Sequence, residues 1–125
     1  MVTREVKAGG EGYIPELYGR RHGKPLKPRQ ARLMDTLLTE VSIPDPAAGP
    51  INVKALFPQA EEIALEIGFG GGEHLAWQAA RSPRAGFIGA EPYLNGVAKL
   101  LVRIEDEKLA NIRVHFGDAR PLMEA

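Results

Sequence analysis

Residues 65–72 read Leu-Glu-Ile-Gly-Phe-Gly-Gly-Gly, an apolar run that breaks into near-alternate glycines. Ile63-Ala64-Leu65-Glu66-Ile67 suits a buried parallel strand, and Glu73 to Ala80 suits a helix. A glycine-rich turn between the two lets the backbone pass close to a ligand and aims the free N–H groups of the helix at it. Strand, glycine turn and helix in that order open a doubly wound α/β sheet. Such sheets bind ligands in the crevice at the carboxyl ends of their strands.

The spacing narrows the ligand. A dinucleotide fingerprint needs Gly-x-Gly-x-x-Gly, but counted from Gly68 and Gly70 its third place falls on Glu73. The chain instead has Gly68-x-Gly70-x-Gly72, headed by the acidic Glu66. That form fits S-adenosylmethionine, whose amino-acid and ribose parts lie along the loop and bring no phosphate. Residues 85–90 read as a second strand ending on Glu91, and residues 111–116 as a third running into Gly117-Asp118-Ala119. A carboxylate ending the second strand can accept from both ribose hydroxyls with charge-assisted strength. One just past the third can accept from the adenine amino group. Each acid also has a local reading. Glu91 before Pro92 could simply end a strand, and Asp118 could cap a helix opening near Pro121. Acids at three successive strand ends favour the cofactor site, made of Glu66, Gly68, Gly70, Gly72, Glu91 and Asp118.

These stretches resemble a known family. Residues 65–75, then Phe87-Ile88-Gly89-Ala90-Glu91-Pro92-Tyr93, then Asn111-Ile112-Arg113-Val114 with Gly117-Asp118-Ala119, look like bacterial tRNA (guanine-N7)-methyltransferases. The glycine motif is common to methyltransferases. The Glu-x-Tyr at 91–93 and the pair Gly96-Val97 are more particular to this family. The resemblance covers about residues 18–125 and is strongest from 63 to 119. It implies that Glu66, Glu91 and Asp118 contact the methyl donor and that the target is a guanine in the variable loop of tRNA. The family also carries, after its fourth strand, a catalytic aspartate with a Pro-Trp-Pro-Lys-x-Arg-His stretch, and later a second acidic motif. Neither occurs here, and the single tryptophan, Trp77, falls in the first sheet helix. The expectation is the donor-binding half of an enzyme, inactive alone, with its catalytic aspartate and C-terminal half beyond residue 125. Lacking the fourth strand, the strand Ile63–Ile67 is expected to be an open edge.

Net charge is zero, but its distribution is uneven. Residues 1–33 hold eight basic and three acidic side chains, and the remainder holds eight basic and thirteen acidic. Arg20, Arg21, Lys24, Lys27 and Arg29 sit in a Gly- and Pro-rich stretch that suits a polyanion, so tRNA phosphates are their expected partners. An ordinary solvated tail is the plainer alternative. From Pro28 a helix is expected with Leu33, Leu37, Leu38 and Val41 on one face, followed by a linker at 42–50. Two segments follow: residues 1–50 as arm, helix and linker, and residues 51–125 as the first half (β-α-β-α-β) of the cofactor-binding domain.

The absence of cysteine excludes disulfides and thiolate metal sites. His22, His74 and His115 lack ligand spacing, so no metal is expected. No apolar stretch approaches a membrane span and Met1-Val2-Thr3-Arg4 is no signal peptide, which suits a cytoplasmic protein. Two other functions fit the same fold: a methyltransferase acting on a small molecule or protein, and a non-catalytic module that binds the cofactor or RNA.

Overall fold

The computed structural model describes residues 2–5 and 25–124. Four parallel strands form one sheet in the order β1 (Val2–Glu5), β2 (Glu62–Ile67), β3 (Ala85–Glu91), β4 (Ile112–Phe116). The helices are α1 (Pro28–Asp35), α2 (Leu37–Val41), α3 (Val53–Leu56), α4 (Glu73–Arg81), α5 (Leu94–Glu107) and α6 (Arg120–Glu124). Among the described residues no helix is long and apolar enough to cross a membrane.

Alternation along each strand divides the side chains between two faces. Phe87 of β3 with Ile112 and Val114 of β4 meets Leu75, Ala76 and Ala79 of α4 and Val97, Leu100, Leu101 and Ile104 of α5. Leu33 and Val41 join that cluster, so the helical segment after Pro28 is part of the core. On the opposite face Leu65, Ile67 and Ile88 pack with Ile43 and Phe57, flanked by Leu122 of α6. Glu66 and Glu91 share parity with Ala64 and Phe87, which puts both acids on the α4–α5 side.

Three local details differ from the sequence reading. The single helix expected from Pro28 is interrupted at Thr36, whose hydroxyl donates to the Arg32 carbonyl at 2.9 Å, a back-bond that bends helices. The stretch 42–50 is more than a linker. Ile43 N–H donates to the Val114 carbonyl (3.0 Å), Ile43 and Pro46 are buried, and residues 46–48 form a 3-10 turn capped by Asp45. A single parallel bridge, Ser42 opposite Val114, thus partners the middle of the outer edge of β4. The other edge is also covered. β1 pairs with β2, Val2 opposite Ala64 through Glu5 opposite Ile67, so the open edge expected at Ile63–Ile67 is occupied by the chain's own first residues. Their backbone supplies ladder partners for Ala64 to Ile67.

Asn111, just before β4, ties the sheet to α4. Its side-chain amide donates to the carbonyls of Ala79 (3.0 Å), Ser82 (3.1 Å) and Ala85 (3.0 Å). The end of α4, the turn after it and the start of β3 are thereby fixed by one side chain.

Candidate functional site

The link between β2 and α4 is built from alternating left-handed residues. Gly68, Gly70 and Gly72 have φ of +71°, +63° and +78°, a region that costs other L-residues about 1–2 kcal/mol. Phe69 between them is buried and anchors the loop, while Gly70 is exposed. Gly68 N–H donates to the Ala90 carbonyl at 2.7 Å, so the loop leaves the sheet only after a last bond to β3. A Cβ on Gly72 would stand 2.6 Å from a methyl of Leu100, whereas one on Gly70 would meet nothing within 4 Å. The surface over Gly70 is therefore open, and glycine is required there by conformation alone.

Glu91 closes the loop from the side. It is 2% exposed, and its carboxylate accepts from Gly70 N–H at 2.7 Å and Tyr93 N–H at 3.1 Å. Burial pushes its pKa above the ordinary carboxylate value, and the two backbone N–H groups oppose that rise. Two accepted bonds leave further lone pairs on a carboxylate for ligand donors. Glu66 is 7% exposed, one strand over. Two buried acids beside an open glycine loop suit a ligand with hydroxyl donors or positive charge.

Asp118 follows β4 and is held locally. It accepts from the backbone N–H of Arg120 at 3.0 Å and from its Nε at 2.5 Å. The Arg120 guanidinium is the main reason its pKa lies below the ordinary value. Asp118 thus does fix the start of α6, the local role open to it from sequence. His115 Nε2 donates to the Asp118 carbonyl at 2.8 Å, and Gly117 N–H donates to the Glu91 carbonyl at 3.0 Å. The loop carrying Asp118 is therefore tied to the strand end carrying Glu91. Glu66, Gly68, Gly70, Gly72, Glu91 and Asp118 converge at the carboxyl ends of β2, β3 and β4.

The basic residues do not form one group. Arg20, Arg21 and Lys24 lie outside the described residues. Lys27 is exposed just ahead of α1. Arg29 is directed onto the end of α5, where its Nε lies 3.0 Å from Glu105 Oε1 and its terminal nitrogen 2.6 Å from the same oxygen and 2.5 Å from Asp106 Oδ1. Those two acids hold its pKa above the ordinary arginine value. Two contacts were not read from the sequence. Arg103 Nε donates to the Gly71 carbonyl at 3.4 Å, and Arg120 grips Asp118. The first joins residues 32 apart and has no local signal, whereas the adjacency of Arg120 to Asp118 points to the second. Among the described residues no group of three or more His, Asp or Glu side chains is arranged to hold a metal.

Residues 60–125 match a family described as "Putative methyltransferase". A tRNA (guanine-N(7)-)-methyltransferase of Erythrobacter litoralis is 48% identical over 118 residues, covering 94% of this chain and 50% of that protein. One of Caulobacter vibrioides is 49% identical over 107 residues, covering 86% and 46% respectively. One of Rhodopseudomonas palustris is 50% identical over 107 residues, covering 85% and 42%. The chain spans about half the length of the curated relatives it matches. The matched region holds the glycine loop and all three acids, and by that match the chain belongs to this methyltransferase family.

Proposed function

We propose that this chain supplies the donor-binding half of an S-adenosylmethionine-dependent tRNA (guanine-N7)-methyltransferase. The observation that carries the reading is the convergence of an exposed, left-handed Gly70 and the buried Glu91 that accepts from it, in a chain close to such enzymes in sequence. The donor set fits: carboxylates at strand ends accept from ribose hydroxyls, and no cradle for a phosphate is required. Glu66, the Gly68–Gly72 loop, Glu91 and Asp118 would hold the donor.

When bound, S-adenosylmethionine supplies an electrophilic methyl group on a cationic sulfur. The guanine N7 lone pair is free in the aromatic ring, so no base has to remove a proton first. The protein gains rate mainly by alignment and by dipoles matched to the migrating charge. In this chain the glycine loop and Glu91 fix one partner of that alignment. The N7 edge is unreadable in a deep A-form groove, which calls for an exposed or extruded tRNA base. Cationic side chains at Arg20, Arg21, Lys24 and Lys27 would contact phosphates.

The test is Glu91→Ala in the full-length protein. Donor affinity should fall by about 1.5–3 kcal/mol, the range of a charge-assisted hydrogen bond. Calorimetric affinity equal to wild type would remove Glu91 from the site. Methyl transfer to tRNA unmodified at guanine N7, against a small-molecule acceptor panel, separates this function from the same fold acting on other substrates.

A further inference from the structure

Gly96 lies in the first turn of α5, where glycine weakens a helix relative to alanine. Its surroundings explain its presence. A Cβ at this position would stand 2.3 Å from the Gly70 carbonyl oxygen, 3.0 Å from the Gly70 carbonyl carbon and 3.2 Å from Glu91 Cγ. The first two are backbone atoms and cannot swing aside as a side chain does. By contrast, a Cβ on Gly71 meets only the flexible Lys99 side chain, at 3.4 Å. Gly70 N–H is in turn bonded to Glu91 Oε1 at 2.7 Å. Helix, loop peptide and carboxylate thus meet at one point, and the missing side chain is what lets them.

We infer that Gly96 is a positioning residue: by admitting α5 against the loop, it sets the spacing of the Gly70–Glu91 clasp that receives the methyl donor. The inference rests on the donor site proposed above. A methyl group at 96 has to open a gap of about 0.7 Å to bring its closest contact to the 3.0 Å limit of real Cβ neighbours. Either the loop carbonyl rises or α5 withdraws, and both act on groups that would face the donor. tRNA phosphate contacts on the arm are not touched.

The experiment is Gly96→Ala in the full-length protein, with Glu107→Ala, exposed at the far end of the same helix, as the control. Affinity for S-adenosylhomocysteine should fall at least tenfold in Gly96→Ala, and donor KM should rise in step. KM for tRNA should stay within twofold, and the Gly70 amide should exchange its hydrogen faster. Glu107→Ala should bind within threefold of wild type. The stabilisation that saturating S-adenosylhomocysteine gives to thermal unfolding should shrink in Gly96→Ala, even if the free variant melts lower. Wild-type affinity in Gly96→Ala overturns the inference. So does a drop in melting temperature that is equal with and without ligand, or a variant that cannot fold, since either assigns the glycine to folding alone. Glu91→Ala separates the two levels. Unchanged affinity there sinks the donor site itself, whereas loss at Glu91 without loss at Gly96 sinks only the positioning role.

Discussion

Replacing Asn111 by Asp removes donors while keeping shape. The wild-type amide has two hydrogens and reaches three carbonyls, those of Ala79, Ser82 and Ala85, so one hydrogen is shared. At about 0.5–1.5 kcal/mol net for each of two hydrogen bonds, the loss to a simple truncation is about 1–3 kcal/mol. An ionised carboxylate facing three carbonyl oxygens adds repulsion, so Asn111→Asp should exceed Asn111→Ala. For 125 residues the unfolding entropy is about 0.26 kcal/mol per kelvin, which makes the truncation a drop of roughly 4–11 °C in Tm. One of the three bonds lies at the exposed rim, which favours the lower half of that range. The assay is thermal and urea unfolding of both variants at neutral and acidic pH. The penalty of Asp over Ala should narrow in acid, where a protonated carboxyl regains one donor. An Asp variant as stable as wild type at neutral pH would refute the role given to this amide.

Donor affinity should fall on acidification at a higher pH than an ordinary glutamate would give, because burial raises the Glu91 pKa and the ionised form is the better acceptor. The same shift makes Glu91 favour folding less as pH rises through that raised pKa, since the folded state holds the proton more tightly there than the unfolded chain. Calorimetric titrations of donor across pH, compared with Glu91→Gln, check the first statement; coincident profiles would contradict it. Gly72→Ala should destabilise by about 2–5 kcal/mol, from the left-handed penalty plus overpacking on Leu100, whereas Gly70→Ala should show only about 1–2 kcal/mol. Denaturant titration of both variants orders them. The slope of log tRNA affinity against log salt should lessen by about one unit for alanine at Arg20, Arg21 or Lys24. At Arg29 it should not change, because that guanidinium is committed to Glu105 and Asp106.

The parts legible in the sequence are those governed by local rules. Glycine spacing marked the turn whose three left-handed residues now stand at Gly68, Gly70 and Gly72. Apolar runs placed β2 at 63–67 against the observed Glu62–Ile67. The second sheet helix ends at Glu107, because Lys108 turns left-handed at φ +53°, a stop that no glycine announces. What escaped notice depends on distance along the chain. Nothing in Val2-Thr3-Arg4-Glu5 indicates a partner some sixty residues away, and nothing in a Pro-rich linker shows that Ile43 will pair with Val114. Charge pattern placed Arg29 among the phosphate binders. Glu105 and Asp106 lie 76 and 77 residues further along the chain, and packing α1 on α5 makes them its partners.

The direction of β1 has a bearing on the glycine loop itself. Pairing is parallel, so Glu5 stands beside Ile67, the residue immediately before that loop. The ladder therefore runs along β2 from Ala64 up to the point where the chain turns left-handed at Gly68. Deleting the first five residues would change no group of the candidate site, yet would leave the backbone of Ala64 to Ile67 without ladder partners on that side, at the strand end that carries Glu66.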